Sequence, residues 1–176
     1  SIMMEILSPA GSFESLVSGV RAGADAVYLG AGDFNARRNA DNFSEDDLIK
    51  ACEYCHIRGV KVYLTINTLV SDFEREAAVS TAVAAAKAGV DAFIVQDLGL
   101  ARLLRQALPE VHLHASTQMS VHSCGALPIL KEMGFTRVVV AREMDKISLA
   151  EFCKKAAEQS IDVEVFVHGA QCMCLS

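Results

Sequence analysis

The sequence lacks any apolar run long enough to cross a bilayer. Hydrophobic residues make up 52% of its 176 positions, but they come in short stretches that charged residues interrupt, whereas a membrane-spanning helix needs about 20 consecutive apolar residues. The first residues show no basic segment followed by an apolar one, so we expect no secretory signal. These absences predict a cytoplasmic protein that does not bind membranes.

Several common catalytic and cofactor motifs are also missing. Gly30 and Gly32 are not followed by a third glycine at the dinucleotide-binding spacing, and the sequence contains no P-loop, H-E-x-x-H or G-x-S-x-G motif. The net charge of -6 argues against coating of duplex DNA through bulk electrostatics. No linker or low-complexity segment divides the chain, so we treat residues 1–176 as a single domain.

The six cysteines, without a secretory signal, indicate a reducing compartment and free thiols. Cys52 and Cys55 form a C-x-x-C inside an amphipathic helix. We interpret them as core residues, because a redox pair of this type needs a helix N-terminus to lower its thiol pKa. Cys172 and Cys174 follow a strand-like run close to the last residue. Two thiolates are at best half of a four-ligand site, so we expect a longer parent protein.

Strand-like and helix-like segments alternate along the whole chain. Ser12 is a candidate cap for the first helix, and Ser44 with Asp47 resembles a capping box for the second. The phrases Gly23-Ala-Asp and Gly89-Val-Asp each end a helix and precede a buried strand. Apolar strands of this kind are expected in a parallel sheet covered on both faces. The predicted strands are residues 5–7, 26–29, 61–66, 92–95, 111–115, 137–140 and 163–167, with six helices between them.

Strict alternation leaves an open doubly wound sheet or a (β/α)₈ barrel. Hydrogen-bonding side chains follow every predicted strand, whereas the opposite connections are mostly Gly, Ala and Asp turns. This asymmetry favours a barrel, whose site is built from the loops after its strands. An open sheet would concentrate the polar side chains at one switch point. A full barrel takes about 250 residues, so we predict an incomplete TIM-barrel-like α/β fold with about seven of eight strands. The exposed strand edge would favour oligomers or poor solubility.

The polar residues after the strands are the candidate site. Some have simpler interpretations: Asp97 is equally suited to cap the next helix, and His112 and His114 alternate on a strand and thus face one side of it, where a histidine is often a core group. Arg37 and Arg38 lie in a polar loop that either is solvated or binds an anion in a two-point contact. The candidates for substrate binding are Asn35, Arg37, Arg38, Asn67, Gln118 and Arg142. The candidates for proton transfer are His114, Glu143 and His168.

Taken together, phrases spread along the chain resemble the peptidase U32 family. They occur in the family's order: Ile6-Leu-Ser-Pro-Ala-Gly-Ser-Phe, Gly23-Ala-Asp-Ala-Val-Tyr-Leu-Gly, Phe34-Asn-Ala-Arg, Val95-Gln-Asp, His114-Ala-Ser-Thr-Gln, Ala141-Arg-Glu and His168-Gly-Ala-x-Cys. The stretch from Asn35 to Phe43 is most similar to the branch that hydroxylates ribosomal RNA cytidine, and a related branch acts on transfer RNA uridine.

The resemblance implies an N-terminal TIM-barrel-like domain followed by further sequence. It implies iron-sulfur enzymes that add a hydroxyl to C5 of an RNA pyrimidine and require prephenate, a small carboxylate. By resemblance Cys172 is the first ligand of a cluster, expected to be 4Fe-4S, whose other ligands lie beyond Ser176. Cys174 is not a usual ligand, and Gln171 replaces a commonly apolar residue, so we expect no complete cluster in this chain alone.

Two other functions stay open. The family was named for collagenase-type proteases, and His168 lies four residues before Cys172, a pair of residue types that can form a thiolate nucleophile. No orienting third group is evident in the sequence. The remaining alternative is a non-catalytic barrel fragment that binds or scaffolds.

Overall fold

The computed structural model describes residues 2–34, 43–66, 71–116, 124–140, 146–167 and 170–174. The strands are β1 Ile2–Pro9, β2 Ala26–Gly30, β3 Lys61–Ile66, β4 Ala92–Val95, β5 His112–Ala115, β6 Phe135–Val140, β7 Asp162–Val167 and β8 Ala170–Cys174. The α-helices are α1 Phe13–Arg21, α2 Glu45–Ile57, α3 Asp72–Ala88, α4 Leu98–Ala107, α5 Leu127–Glu132 and α6 Lys146–Glu158. Within these ranges, single 3₁₀ turns lie at Ala31–Asp33 and Cys124–Ala126.

The strands form a closed barrel in the order β1 to β8. Each consecutive pair from β1–β2 to β6–β7 is parallel, which confirms the predicted (β/α) repeat of seven strands. The described residues contain no eighth parallel strand, but the sheet is not open. Strand β8, which was not predicted, lies antiparallel to both β1 and β7 and closes the ring. The predicted exposed edge is therefore wrong for the described strands, and oligomerisation through that edge loses its basis.

Helix boundaries follow the predicted caps. The Ser12 hydroxyl accepts a hydrogen bond from the Ser15 amide, and Ser44 and Asp47 form the reciprocal capping box. Asp97 caps α4, since its carboxylate accepts from the amides of Gly99 and Leu100. The capping interpretation of Asp97 is thus confirmed.

The sequence also predicts a helix over residues 121–133, and helix α5 occupies only part of the described residues in that range. Of these, residues 127–132 are α-helical, and a 3₁₀ turn at Cys124–Ala126 precedes them. Pro128 lies in the first turn of α5, where its missing amide proton costs no hydrogen bond. The proline therefore marks the beginning of this helix, and the prediction placed it in the interior.

The repeated Gly-x-Asp phrase ties neighbouring strands together where each strand begins. One Asp25 carboxylate oxygen accepts from the Ile6 amide at 2.7 Å, and Asp91 accepts from the Val62 amide at the same distance. The amides of both aspartates in turn donate to the carbonyls of Ile6 and Val62 at 2.8 Å. Each aspartate thus satisfies both polar groups of one residue on the preceding strand.

Two apolar layers surround the sheet. The larger one lies between the strands and the helices and includes Phe93, Leu64 and both cysteines of the C-x-x-C, Cys52 and Cys55, which are 1% and 0% exposed. This confirms their interpretation as core residues. The smaller layer lies inside the barrel and contains Leu7, Ala26, Tyr63 and Ala92. No helix in the described ranges is long and apolar enough to cross a membrane.

Arg105 on α4 ties the end of its own helix to the connection between α5 and β6. Its guanidinium donates to the carbonyls of Pro109 and Val111 at 2.8 Å and of Gly134 at 2.9 Å. Gly134 adopts a φ of +84°, and a Cβ at this position would lie 2.9 Å from Arg105 Nε. The backbone angle therefore favours glycine here, and a larger residue would also have to displace the Arg105 guanidinium.

Candidate functional site

The carboxyl ends of β1 to β7 meet at one rim of the barrel, because these strands are parallel. The segments that follow β2, β3, β5, β6 and β7 carry most of the predicted site residues. Their starting points are therefore on one side of the barrel, as predicted. The site residues that lie outside the described ranges, and whose roles stay predictions, are Asn35, Arg37, Arg38, Asn67, Gln118, Arg142, Glu143 and His168.

The described residues on either side of both predicted anion-binding arginines are paired with each other. Phe34 and Phe43, the described residues on either side of it, form an isolated β-bridge, and each is 3% exposed. The Phe43 amide donates to the Asp33 carbonyl at 2.7 Å, and the Asp33 carboxylate accepts from the Gly30 amide at the end of β2. The two described residues that flank residues 35–42 are thus held together near the end of β2.

His114 lies inside the barrel and is 5% exposed. The edge of its ring meets the Tyr63 ring at a centroid distance of 5.1 Å. Burial, with the positive charge of Arg137, lowers the pKa of His114 well below its usual range. The imidazole is therefore neutral at pH 7, and its Nδ1 has no hydrogen-bond partner among the described residues. Burial disfavours the protonated form of this imidazole, so its role in proton transfer stays a prediction.

A buried ionic network surrounds Arg137 of β6. Its guanidinium pairs with Glu164 of β7, lies 3.5 Å from a Glu5 oxygen on β1 and 3.6 Å from an Asp162 oxygen, and donates to the Tyr63 hydroxyl at 3.4 Å. Tyr63 in turn donates to Glu5 at 3.4 Å. One cation thus joins carboxylates from both strands that flank β8.

Burial determines the protonation of this network. It raises the pKa of Glu164 to about 7 and raises that of Glu5, although Arg137 opposes both shifts. Burial alone would lower the pKa of Arg137. The surrounding carboxylates, of which Glu164 has the largest effect, nevertheless keep this pKa above its ordinary value. Three carboxylates face one guanidinium, so a retained proton lowers the excess negative charge.

The sequence analysis missed Glu5, Tyr63, Arg137 and Glu164 as a group. One signal was available, because Arg137 and Glu164 are charged residues within apolar strand runs, Phe135–Val140 and Asp162–Val167. A charge in the interior of a β-strand is usually buried only when it is paired. The pairing partners could not be identified from the sequence, because they lie 27 residues apart or more along the chain.

Comparison with known proteins agrees with this architecture. The sequence model described as "Peptidase family U32" matches residues 11–176. The chain belongs to peptidase family U32. Among solved structures, the U32 peptidase Mk0906 superposes with a TM-score of 0.67 at 14% identity, covering 94% of this chain and 69% of that one. At this identity the superposition supports the fold alone.

Three curated relatives of this U32 chain have different printed functions. The 23S rRNA 5-hydroxycytidine C2501 synthase of Escherichia coli is 37% identical over 175 residues, 98% of this chain and 25% of that protein. The tRNA hydroxylation protein P1 of Bacillus subtilis is 35% identical over 172 residues, which cover 98% of this chain and 40% of that protein. A collagenase of Porphyromonas gingivalis is 36% identical over 181 residues, which cover 98% of this chain and 43% of that protein. The chain therefore spans between a quarter and under half of these relatives.

The cysteines of this U32 chain do not form a complete metal site in its described part. Cys172 lies in β8, where its backbone is in register with Met4 of β1 and Val165 of β7. Burial raises the pKa of Cys52 to about 12 and that of Cys55 to about 11, which disfavours the thiolate that a metal binds. Within the described ranges no group of three or more His, Cys, Asp or Glu could hold a metal ion. A cluster ligand at Cys172 stays a prediction from the family resemblance.

Proposed function

We propose that this chain is the barrel part of a U32 protein that takes part in C5-hydroxylation of a pyrimidine in ribosomal or transfer RNA. The observation that carries the proposal is the 37% identity, over 98% of the chain, to the 23S rRNA 5-hydroxycytidine synthase of Escherichia coli. The tRNA hydroxylation protein of Bacillus subtilis, at 35% identity, supports the same class of reaction. We place the activity in the cytoplasm.

The candidate site residues have distinct proposed roles. Arg37 and Arg38, between the paired residues Phe34 and Phe43, would bind RNA phosphates or a small dicarboxylate such as prephenate through paired N–H donors. Arg142 and the amides of Asn35, Asn67 and Gln118 would orient the substrate. His114, buried and neutral, would accept a proton, and Glu143 and His168 are the other candidates for this role.

Cys172 is the proposed first ligand of an iron-sulfur cluster in the full-length protein. When bound, such a cluster would supply electron transfer, with a potential set by its burial and its hydrogen bonds. The contribution of this chain would be one thiolate on β8, which is hydrogen bonded on both sides, to β1 and to β7. A strand held in this way gives the ligand a fixed backbone.

The test is mass spectrometry of ribosomal and transfer RNA from cells that lack the parent gene. We expect 5-hydroxypyrimidine to disappear from one RNA site and to return with the wild-type gene. An Arg37→Ala/Arg38→Ala variant should restore little modification, whereas Arg102→Ala, an exposed arginine on α4, should restore it fully. Unchanged 5-hydroxypyrimidine in the deletion strain would refute the proposal.

A peptidase is the second candidate, favoured by the 36% identity to the collagenase of Porphyromonas gingivalis. In this case Cys172 would be the nucleophile and His168 its base. The purified full-length protein would cleave a gelatin substrate, and Cys172→Ala would abolish the cleavage while Cys153→Ala, a half-buried cysteine on α6, would not. Cleavage that persists in Cys172→Ala would exclude this candidate.

A further inference from the structure

A cavity of about 300 Å³ enters the barrel at the end opposite to the rim. Its lining includes Lys61 and His112, the first residues of β3 and β5, and Thr136, near the beginning of β6. The side chain of Ala92 on β4 also lines it, and its small size leaves space beside the Tyr63 ring. The proposed substrate-binding residues follow the strands at the other end of the barrel. His114, a candidate for proton transfer, also lines this cavity, but the proposed RNA chemistry gives the cavity itself no role.

Two buried polar atoms on the lining residues have no hydrogen-bond partner in the described part of the chain. They are Nδ1 of His114 and Nε of Arg137. A guanidinium Nε always carries a proton, so the second of these atoms is a hydrogen-bond donor. A buried donor without an acceptor costs about 1–3 kcal/mol, and a ligand that supplies oxygen atoms would offset this cost.

Lys61 adds a positive charge at the entrance. Its side chain is exposed and forms no ion pair with any described residue, and its charge acts on His114 inside the cavity. The acidic lining residues are already occupied: Asp162 lies 3.6 Å from Arg137, and Asp91 accepts from the Val62 amide at 2.7 Å. The carboxylates around Arg137 carry less than their full negative charge, because burial raises the pKa of Glu164 to about 7 and also raises that of Glu5. The unpaired Nε–H of Arg137 and the ammonium group of Lys61 remain as donors.

We propose that this cavity binds a small carboxylate, held by Lys61, His114 and Arg137. The two oxygens of a carboxylate accept several hydrogen bonds at once, and those from charged donors are the strongest. Lys61 at the entrance would repel a cationic ligand. A neutral amide would supply no negative charge to pair with the Lys61 ammonium group. The burial of His114 favours a small free ligand over a group in a polymer. A phosphate within a polymer cannot reach a side chain that is 5% exposed.

The test compares three probes of nearly equal size by NMR of the histidine rings in chloride-free buffer: acetate, acetamide and methylammonium. We expect acetate alone to shift the His114 ring resonances in a saturable manner. Lys61→Met should weaken this binding by about tenfold, the value of one charge-assisted hydrogen bond. Lys50→Met, which removes an exposed lysine of α2 outside the cavity, should leave it unchanged.

Three results would overturn the proposal. The first is the absence of a saturable shift with acetate, which would leave the cavity to water. The second is an equal response to acetamide or methylammonium, which would show that charge is not recognised. The third is equal weakening by Lys61→Met and Lys50→Met, which would place the binding elsewhere on the surface. Both proposals name His114, but none of these readouts uses the RNA modification activity, so a failure of this proposal is distinguishable from a failure of the proposed function.

Discussion

Replacing Glu164 with glutamine tests whether burial or the ion pair dominates inside the barrel. Glu164 is 1% exposed and pairs with Arg137. Glutamine keeps the size of the side chain and a carbonyl that can accept from the guanidinium, but it cannot ionise. The difference in unfolding free energy between Glu164→Gln and the wild type therefore reports the ionisation of this one group.

The sign and size of that difference follow from the raised pKa of Glu164. The folded protein holds the proton up to about pH 7, whereas the ordinary value is 4.5. The stabilising contribution of the protonated group is complete below about pH 4.5 and is lost as the pH rises to about 7. At about 1.4 kcal/mol per pKa unit, the total loss is about 3 kcal/mol. Relative to the wild type, Glu164→Gln should therefore gain stability as the pH rises.

The assay is urea unfolding of both proteins between pH 5 and pH 8. We expect the advantage of Glu164→Gln to grow by about 2–3 kcal/mol over this range. Glu158→Gln, an exposed position on α6, should show a nearly constant difference. A Glu164→Gln difference that is flat or moves in the opposite direction would mean that the attraction of Arg137 outweighs burial, and would refute the reasoning.

Three further changes probe the frame of the barrel. Asp91→Ala removes the acceptor of the Val62 amide and should cost about 1–3 kcal/mol, with faster hydrogen exchange of that amide; unchanged exchange would contradict the strand-tying role. The thiols of Cys52 and Cys55, buried and with raised pKa values, should not react with a thiol reagent at pH 8 until the protein unfolds, so a Cys52→Ala/Cys55→Ala variant should show the same number of reactive thiols. Gly134→Ala should cost more than Gly23→Ala by about 1 kcal/mol or more, because both glycines have positive φ but only at Gly134 does a Cβ meet a neighbour; thermal unfolding that ranks them equally would exclude crowding by Arg105.

The parallel repeat and its caps could be predicted because their signals are local. The hydroxyl of Ser44 and the carboxylate of Asp47 lie three residues apart and satisfy each other's backbone amides, so a short window of sequence is sufficient. The Gly-x-Asp phrase also marked the beginnings of two strands correctly. Its physical purpose could not be read from the sequence, because each aspartate acts on a strand that lies 19 or 29 residues earlier.

Strand β8 and the Arg137 network were not predicted for the same reason. The run Ala170–Cys174 has two cysteines and a glutamine, and this composition drew attention to metal binding and not to a strand. Its strand character comes from hydrogen bonds to β1 and β7, and context of this kind overrides intrinsic preference. Arg137 likewise depends on Glu5, which is more than a hundred positions away in the chain.

The pairing of β1 with β8 has a consequence for the folding kinetics of the chain. Residues Ile2–Ile6 hydrogen bond with residues Ala170–Cys174, so β1 can complete its pairing only after a segment that is synthesised much later. Contacts of such high sequence separation slow folding, because the entropy of closing the loop is lost before the contact forms. Until then the amides of β1 are available to other chains. We therefore expect ring closure to be a late step, and chaperone binding to be strongest before it.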